Sequence, residues 1–141
     1  MQEDYQSLFL NQLVSFKRKV AAFGFHFASL DIRQDSRILT KSLKHILQVK
    51  PTILVQNFAK LNDQEKISAL LNISESISID ELSDSIAIDT IESLQTMKEI
   101  QSLNGVRACH RYIISNCRGP IDVARLIALF RLSGWELNEL T

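Results

Sequence analysis

Glycine, proline and cysteine are scarce in this sequence, which holds four, two and two of them in 141 residues. So few backbone breakers leave room for long periodic segments, and the Leu- and Ile-rich stretches between them repeat mostly at helical spacing. A mainly helical fold is expected. Two cysteines, Cys109 and Cys117, cannot build a disulfide framework, and no signal-peptide pattern is read, so the cytoplasm is the expected compartment. An excess of charge of either sign is also missing. Sixteen Lys and Arg balance sixteen Asp and Glu, which removes the positive field on which nucleic-acid binding depends. Apolar runs of the roughly 20 residues that a bilayer demands are absent, because Lys, Asp or Asn interrupts each hydrophobic stretch. Neither a nucleic acid nor a membrane is an expected partner.

What is present suits one domain with its own core. Hydrophobic residues make up 45% and charged residues 23%, well away from disordered compositions. A folded chain of about 150 residues buries roughly 70% of its unfolded surface, so no disulfide or metal staple is required. The first helix is expected from Asp4 to Phe23, with Phe9, Leu13, Phe16, Val20 and Phe23 at alternating steps of four and three and Gly24 just beyond. Its basic triplet, Lys17-Arg18-Lys19, reads as a helix C-terminus complementing the dipole. The run from Phe25 to Ile32 is aromatic, apolar and too short for a helix, and reads as a buried strand.

A helix follows Asp35-Ser36, presents Leu39, Leu43, Ile46 and Leu47, and must stop before Pro51. Two shorter helices are expected, one around Leu54, Phe58 and Leu61, the other around Ile67, Leu70 and Leu71, parted by the cap-like Asn62-Asp63. The alternation from Ile73 to Ile79 is formally that of a strand, but its serines suit a loop, and it is read as one. The longest helical pattern runs from Leu82 to Leu103, with Ala87, Ile91, Leu94 and Met97 as its stripe and Asn104-Gly105 as its stop. Arg111 to Ser115 reads as a second buried strand, ended by Asn116-Cys117-Arg118-Gly119. Pro120 then opens a helix carrying Val123, Leu126, Ile127 and Phe130, closed by Gly134. Two strands make no parallel sheet or barrel of their own. The chain is therefore either a mainly helical domain with a small strand pair or a slice of something larger.

The segment Leu30-Asp31-Ile32-Arg33-Gln34-Asp35-Ser36 delivers charged residues just as a strand ends. The carboxyl ends of strands are where α/β folds bind substrates, and a guanidinium there offers a planar fork of donors to a phosphate or carboxylate. Arg33 is the candidate anion ligand. An ion pair, Asp31–Arg33 or Arg33–Asp35, is the structural alternative.

The order of these residues resembles the phosphoenolpyruvate carboxylase family. Phe23-Gly24 followed by Leu30 to Ser36 is similar to an F-G pair ahead of a strand reading L/I-D-I-R-Q-E-S. Tyr112-Ile113-Ile114-Ser115, a short turn, Asp122-Val123 and a Leu-rich helix resemble that family's Y-V-I-S-M…S-D-V-L…L segment. The helix from Leu82 to Leu103 corresponds to the one preceding the second strand, so the resemblance covers essentially the whole chain. Asp35 stands where Glu is usual and Leu39 where His is common, and the middle segment lacks the usual Arg-Pro.

The resemblance implies enzymes several times longer, built on a helix-rich (β/α)-barrel. This chain is then expected to be an internal fragment, mainly α, with barrel strands at about 25–33 and 111–115, a helical insertion at about 36–104 and a helix at about 120–133. The implied reaction carboxylates phosphoenolpyruvate with bicarbonate to oxaloacetate and phosphate, with Mg2+ or Mn2+. By resemblance Arg33 corresponds to the arginine that holds the substrate phosphate. The family's catalytic histidine lies upstream of this region. Its metal-binding Glu and Asp, its H-G-R-G-G segment and its effector site lie downstream. No catalytic or metal-binding residue is therefore assigned here, and the fragment alone is expected to be inactive. The parent is expected to be a homo-oligomer. The isolated chain, with strand edges and apolar faces uncovered, is expected to self-associate.

Other candidates are weaker. Cys109, His110 and Cys117 lack the paired spacing of a zinc site, and Cys117 lacks an evident base, which leaves it the role of a buried small hydrophobe. His26 and His45 have no partner identifiable from spacing, and Asp80, Glu81 and Asp84 read as acids near the start of the long helix. The competing reading of the whole is a stand-alone helical interaction module in which Arg33 is only structural.

Overall fold

Caps and breakers turn the periodic stretches into helices. The computed structural model describes residues 9–24, 28–54 and 57–139. Within them the order is α1 (Leu10–Phe23), β1 (Asp31–Asp35), α2 (Ser36–Val49), α3 (Asp63–Leu71), α4 (Ser85–Asn104), β2 (Arg111–Ser115) and α5 (Pro120–Leu132). Single 3-10 turns lie at Pro51–Ile53, Phe58–Lys60, Ile79–Glu81, Val106–Ala108 and Leu137–Glu139.

The extended Asp35 starts α2, its carboxylate accepting the Arg37 N–H at 2.8 Å and so covering a donor that a helix start leaves open. Lys50 leaves the helix because Pro51 drives the preceding residue out of the α region. A capping box opens α3: Asn62 Oδ1 accepts from Glu65 N at 2.9 Å, and Glu65 Oε2 accepts from Asn62 N at 3.0 Å. Asp84 caps α4 by accepting from Ile86 and Ala87, and His45 Nε2 of α2 accepts the Ser83 and Asp84 N–H groups at 3.4 and 3.3 Å. Beyond α4, Gly105 turns the chain with φ 84°, a conformation that favours a residue without Cβ.

The core lies where α2, α4 and α5 meet, with α3 packed on α5. Leu39, Leu43 and Ile46 of α2 join Ile91 and Leu94 of α4 and Leu129 of α5 in one buried cluster. The Ser42 and Thr90 hydroxyls, buried where α2 crosses α4, lie 2.9 Å apart, and Thr90 also donates to Ile86 O, so both are satisfied. Phe130 meets Tyr112 and Trp135 edge to face, at centroid separations of 5.7 and 5.1 Å.

β1 and β2 pair in parallel, with Asp31 opposite Arg111, Arg33 opposite Ile113 and Asp35 opposite Ser115. The helices between them supply the long crossover that parallel neighbours need. Ile32, Tyr112 and Ile114 face the helices and pack on the core. Strand alternation sends Asp31, Arg33, Arg111 and Ile113 to the other face.

Several expectations shift. Phe25, His26 and Phe27, like residues 1–8, lie outside the described residues. The strand expected there runs instead over Asp31–Asp35 and is half-buried rather than buried. Pairing with β2 fixes this register, and Asp35 must be extended to cap α2. β2 likewise alternates between exposed and half-buried residues, because helices cover only one face of the pair. Among the described residues around Leu54, Phe58 and Leu61 only 3-10 turns form, and Asn57 lies in the left-handed region at φ 68°. Lys17-Arg18-Lys19 sits within α1, whose last turn carries no base. Cys117 is exposed in its turn, whereas Cys109 is buried. Finally, α1 buries none of its residues: Leu13 and Phe16 are 63% and 66% exposed.

Candidate functional site

Charged side chains gather along the strand pair, Asp31 and Arg111 at its amino ends, Arg33 at the middle of β1 and Asp35 at its carboxyl end. Arg33 stands on the face of the pair that no helix covers, with its side chain 73% exposed and Asp31 Oδ2 at 3.9 Å. The other oxygen of Asp31 accepts from Arg111 Nε at 2.7 Å. Asp31 is therefore held chiefly by the strand opposite, and the Arg33 guanidinium keeps most of its donors for a ligand. The Arg33–Asp35 pair does not form, because Asp35 is committed elsewhere.

Asp35 accepts from Arg37 Nε at 2.9 Å, from Arg37 Nη2 at 2.8 Å and from Asn116 Nδ2 at 2.6 Å. The Arg37 side-chain hydrogen bonds, then its N–H and Asn116, hold the Asp35 carboxyl well below the usual carboxylate range, and Asp35 raises the Arg37 guanidinium in turn. Ser36 Oγ donates to Asn116 O at 2.8 Å. Asn116 adopts φ 54°, a left-handed turn that Asn tolerates. The same carboxylate thus starts α2 and ties the end of β1 to the turn after β2.

Beside this junction Arg37, Arg118 and Arg125 line a cavity of about 400 Å³ with Ser36, Thr40 and Asp122. The buried Asp122 pairs with Arg125 and accepts the Arg118 N–H at 2.9 Å. Sequence reasoning found Arg33 but missed Arg37, Arg118 and Arg125. The Asp122–Arg125 spacing of three on a helix was the available signal for the last. The arrangement suits anion binding.

Cys109, His110 and Cys117 do not come together as a site. Among the described residues no three His, Cys, Asp or Glu side chains could hold a metal ion. The divalent metal that the resemblance implies therefore has no donor set among them. Burial raises the Cys109 thiol, which keeps it protonated. No described helix is long and apolar enough to cross a membrane.

Two adjacent parallel strands joined through a long run of helices make this a mainly helical unit with one parallel strand pair, consistent with a piece of a larger (β/α)-barrel. The chain belongs to the phosphoenolpyruvate carboxylase family, whose model matches residues 1–140. A phosphoenolpyruvate carboxylase of Gloeobacter violaceus is 28% identical over 120 residues, covering 82% of this chain and 13% of that protein. Those of Trichormus variabilis and a Nostoc species are each 30% identical over 115 residues, covering 79% of this chain and 11% of theirs. The chain thus spans between a tenth and a seventh of the length of these relatives, at 11% to 13%. No solved structure matches it.

Proposed function

We propose that this chain is a segment of a phosphoenolpyruvate carboxylase, an enzyme that carboxylates phosphoenolpyruvate with bicarbonate to oxaloacetate and phosphate, and that Arg33 holds the substrate phosphate. The observation that carries the role is the placement of Arg33 on the uncovered face of two parallel strands, exposed and loosely paired at 3.9 Å. A guanidinium so placed offers parallel N–H donors to two phosphate oxygens. In this reading β1 (Asp31–Asp35) and β2 (Arg111–Ser115) are neighbouring strands of a (β/α)-barrel, α2, α3 and α4 belong to a helical insertion between them, and α5 follows. The strand pair turns its uncovered face toward the barrel interior.

The chain binds and orients the anion. The metal, Mg2+ or Mn2+, and the catalytic histidine belong to other parts of the enzyme, so the chain alone carries out no turnover. The enzyme works in the cytoplasm, where the free thiols of Cys109 and Cys117 stay reduced. The whole enzyme is a homo-oligomer, and the isolated chain self-associates through its uncovered strand edges and apolar faces, the exposed stripe of α1 among them.

Isothermal titration with phosphoenolpyruvate and magnesium tests the role of Arg33. The expected result is a saturable heat with the native chain and at least a tenfold weaker one with Arg33→Ala, since a charge-assisted pair is worth roughly 1.5 to 3 kcal/mol. Equal affinities in the two chains remove Arg33 from this role, whereas no heat in either shows that Arg33 needs the rest of the barrel to hold the phosphate.

A further inference from the structure

A second cavity, on the helix side of β2, takes no part in anion binding. It measures about 330 Å³, and Met97, Val106, Tyr112, Leu126, Phe130 and Trp135 form most of its wall. An apolar cavity of roughly 150 Å³ already admits benzene, and small-molecule pockets begin at about 300 Å³.

Its polar inventory is short. The Tyr112 hydroxyl is buried and forms no hydrogen bond among the described residues, an arrangement that folded proteins rarely leave uncompensated. The neighbouring donors are already committed, Trp135 Nε1 to Leu94 O at 3.0 Å and Gln101 Nε2 to Cys109 O at 2.6 Å. The titratable side chains in the wall besides Tyr112 are Glu139 and His110, whose Nδ1 lies 3.3 Å from Arg107 O, and no Lys or Arg lines the cavity. Lys98, 5.7 Å from the centre of the Trp135 ring, is spent on Glu139 at 2.8 Å and Gly134 O at 2.9 Å. An anion would therefore be desolvated here beside the acid of Glu139, with no permanently charged Lys or Arg to offset it.

We propose that this cavity binds a small neutral aromatic compound carrying one carbonyl or hydroxyl group, which pairs with the Tyr112 hydroxyl. Ring faces and thioether supply the packing surface for the aromatic body. Burial raises the Tyr112 phenol to about 12, so it remains a hydrogen-bond donor throughout the neutral range. This ligand class is opposite in character to the anion assigned to Arg33, and the inference stands independently of that assignment.

Benzamide, a neutral ring with one strong acceptor, is the probe. Titrated into the full chain it should quench the emission of Trp135, the single tryptophan, along a saturable curve. Tyr112→Phe keeps the ring and removes the hydroxyl. It should weaken benzamide about fivefold to tenfold while leaving the thermal midpoint equal or higher, because an unpaired buried hydroxyl is gone. Val106→Phe, at a 61% exposed rim position, fills the cavity from outside and should abolish saturation with the fold intact. Benzoate, equal in shape but charged, should bind at least tenfold more weakly. Three results overturn the proposal: no saturable quenching up to the solubility of benzamide, as a water-filled cavity would give; equal affinity in Tyr112→Phe; or benzoate binding as tightly as benzamide.

Discussion

Helices α1 and α5 are nearly equal in length, 14 and 13 residues, and both carry apolar side chains at helical spacing, yet they meet opposite fates. α5 buries Ala124, Leu126, Ala128, Leu129, Phe130 and Leu132 against α2, α3 and α4, whereas α1 buries nothing. Periodicity therefore reports that a helix has an apolar side, and only the rest of the fold decides whether anything covers it. The strand pair repeats the contrast on a smaller scale. One face, through Ile32, Tyr112 and Ile114, packs on the core. The other shows Asp31, Arg33, Arg111 and Ile113 to solvent, and it holds the candidate site.

The comparison breaks most visibly if covered and uncovered apolar residues respond alike to substitution. Leu129→Ala, at a fully buried position of α5, should lower the unfolding free energy by about 3 kcal/mol, the transfer term plus a cavity term. Phe16→Glu, at a 66% exposed position of α1, should change it by less than about 0.5 kcal/mol. The same variant should reduce the apparent mass of the chain in concentrated solution by light scattering, since it places a charge in the stripe proposed to join copies. Urea denaturation reads the first pair of numbers. A native chain that scatters as a monomer at all concentrations removes self-association, whatever the variants do.

The covered face of the strand pair should respond to alkali. Burial raises the Tyr112 phenol from its ordinary value of 10.0 to about 12, so between these values the folded chain holds a proton that the unfolded chain has released. Stability contributed by the neutral phenol is whole below about pH 10 and is lost as the pH rises toward about 12. The two pH units set an upper limit of about 2.7 kcal/mol. Because the residue is only partly buried, the expected loss is on the order of 1 kcal/mol. Denaturation at stepped pH, with Tyr112→Phe as reference, measures it as the difference between the two slopes. Parallel slopes would show that the ring is solvated and that this face is less covered than the packing indicates.

Much of this division was legible in the sequence. Asp35, Asn62, Pro120 and the glycines after the helices mark where elements begin and end, because capping and backbone restriction are local. Asp84, expected only as an acid near the start of a helix from Leu82, is instead the cap of α4 at Ser85. The buried stripes of α2 and α4, Leu39 to Ile46 and Ala87 to Met97, were equally plain. Long-range pairing was not. The register of β1 depends on β2, with Asp31 set beside Arg111, 80 residues away, and no local pattern encodes that distance. This is why the strand was expected too early and too deeply buried. Arg33 was singled out through its motif, and it stands exposed on the uncovered face. The company kept by Arg37, Arg118 and Arg125 was not, because it arises where the start of α2 meets the turn before α5. His45 was unreadable for the same reason, since the N–H groups it accepts lie 38 and 39 residues on.

The smallest expected effect bears most directly on function. Arg33→Ala should change the unfolding free energy by no more than about 0.5 kcal/mol, because an exposed pair at 3.9 Å gains little Coulomb energy in water. Arg111→Ala should cost more, since Arg111 Nε donates to Asp31 Oδ1 at 2.7 Å and joins the two strands. Urea denaturation of both variants at low and high salt separates them: the Arg111 effect should shrink with salt, and the Arg33 effect should be too small to do so. A residue that contributes almost nothing to stability on a face that nothing covers is free to be spent on a ligand. If Arg33→Ala instead destabilises the chain as much as Arg111→Ala does, Arg33 is a strand clamp, and the uncovered face loses its anion ligand.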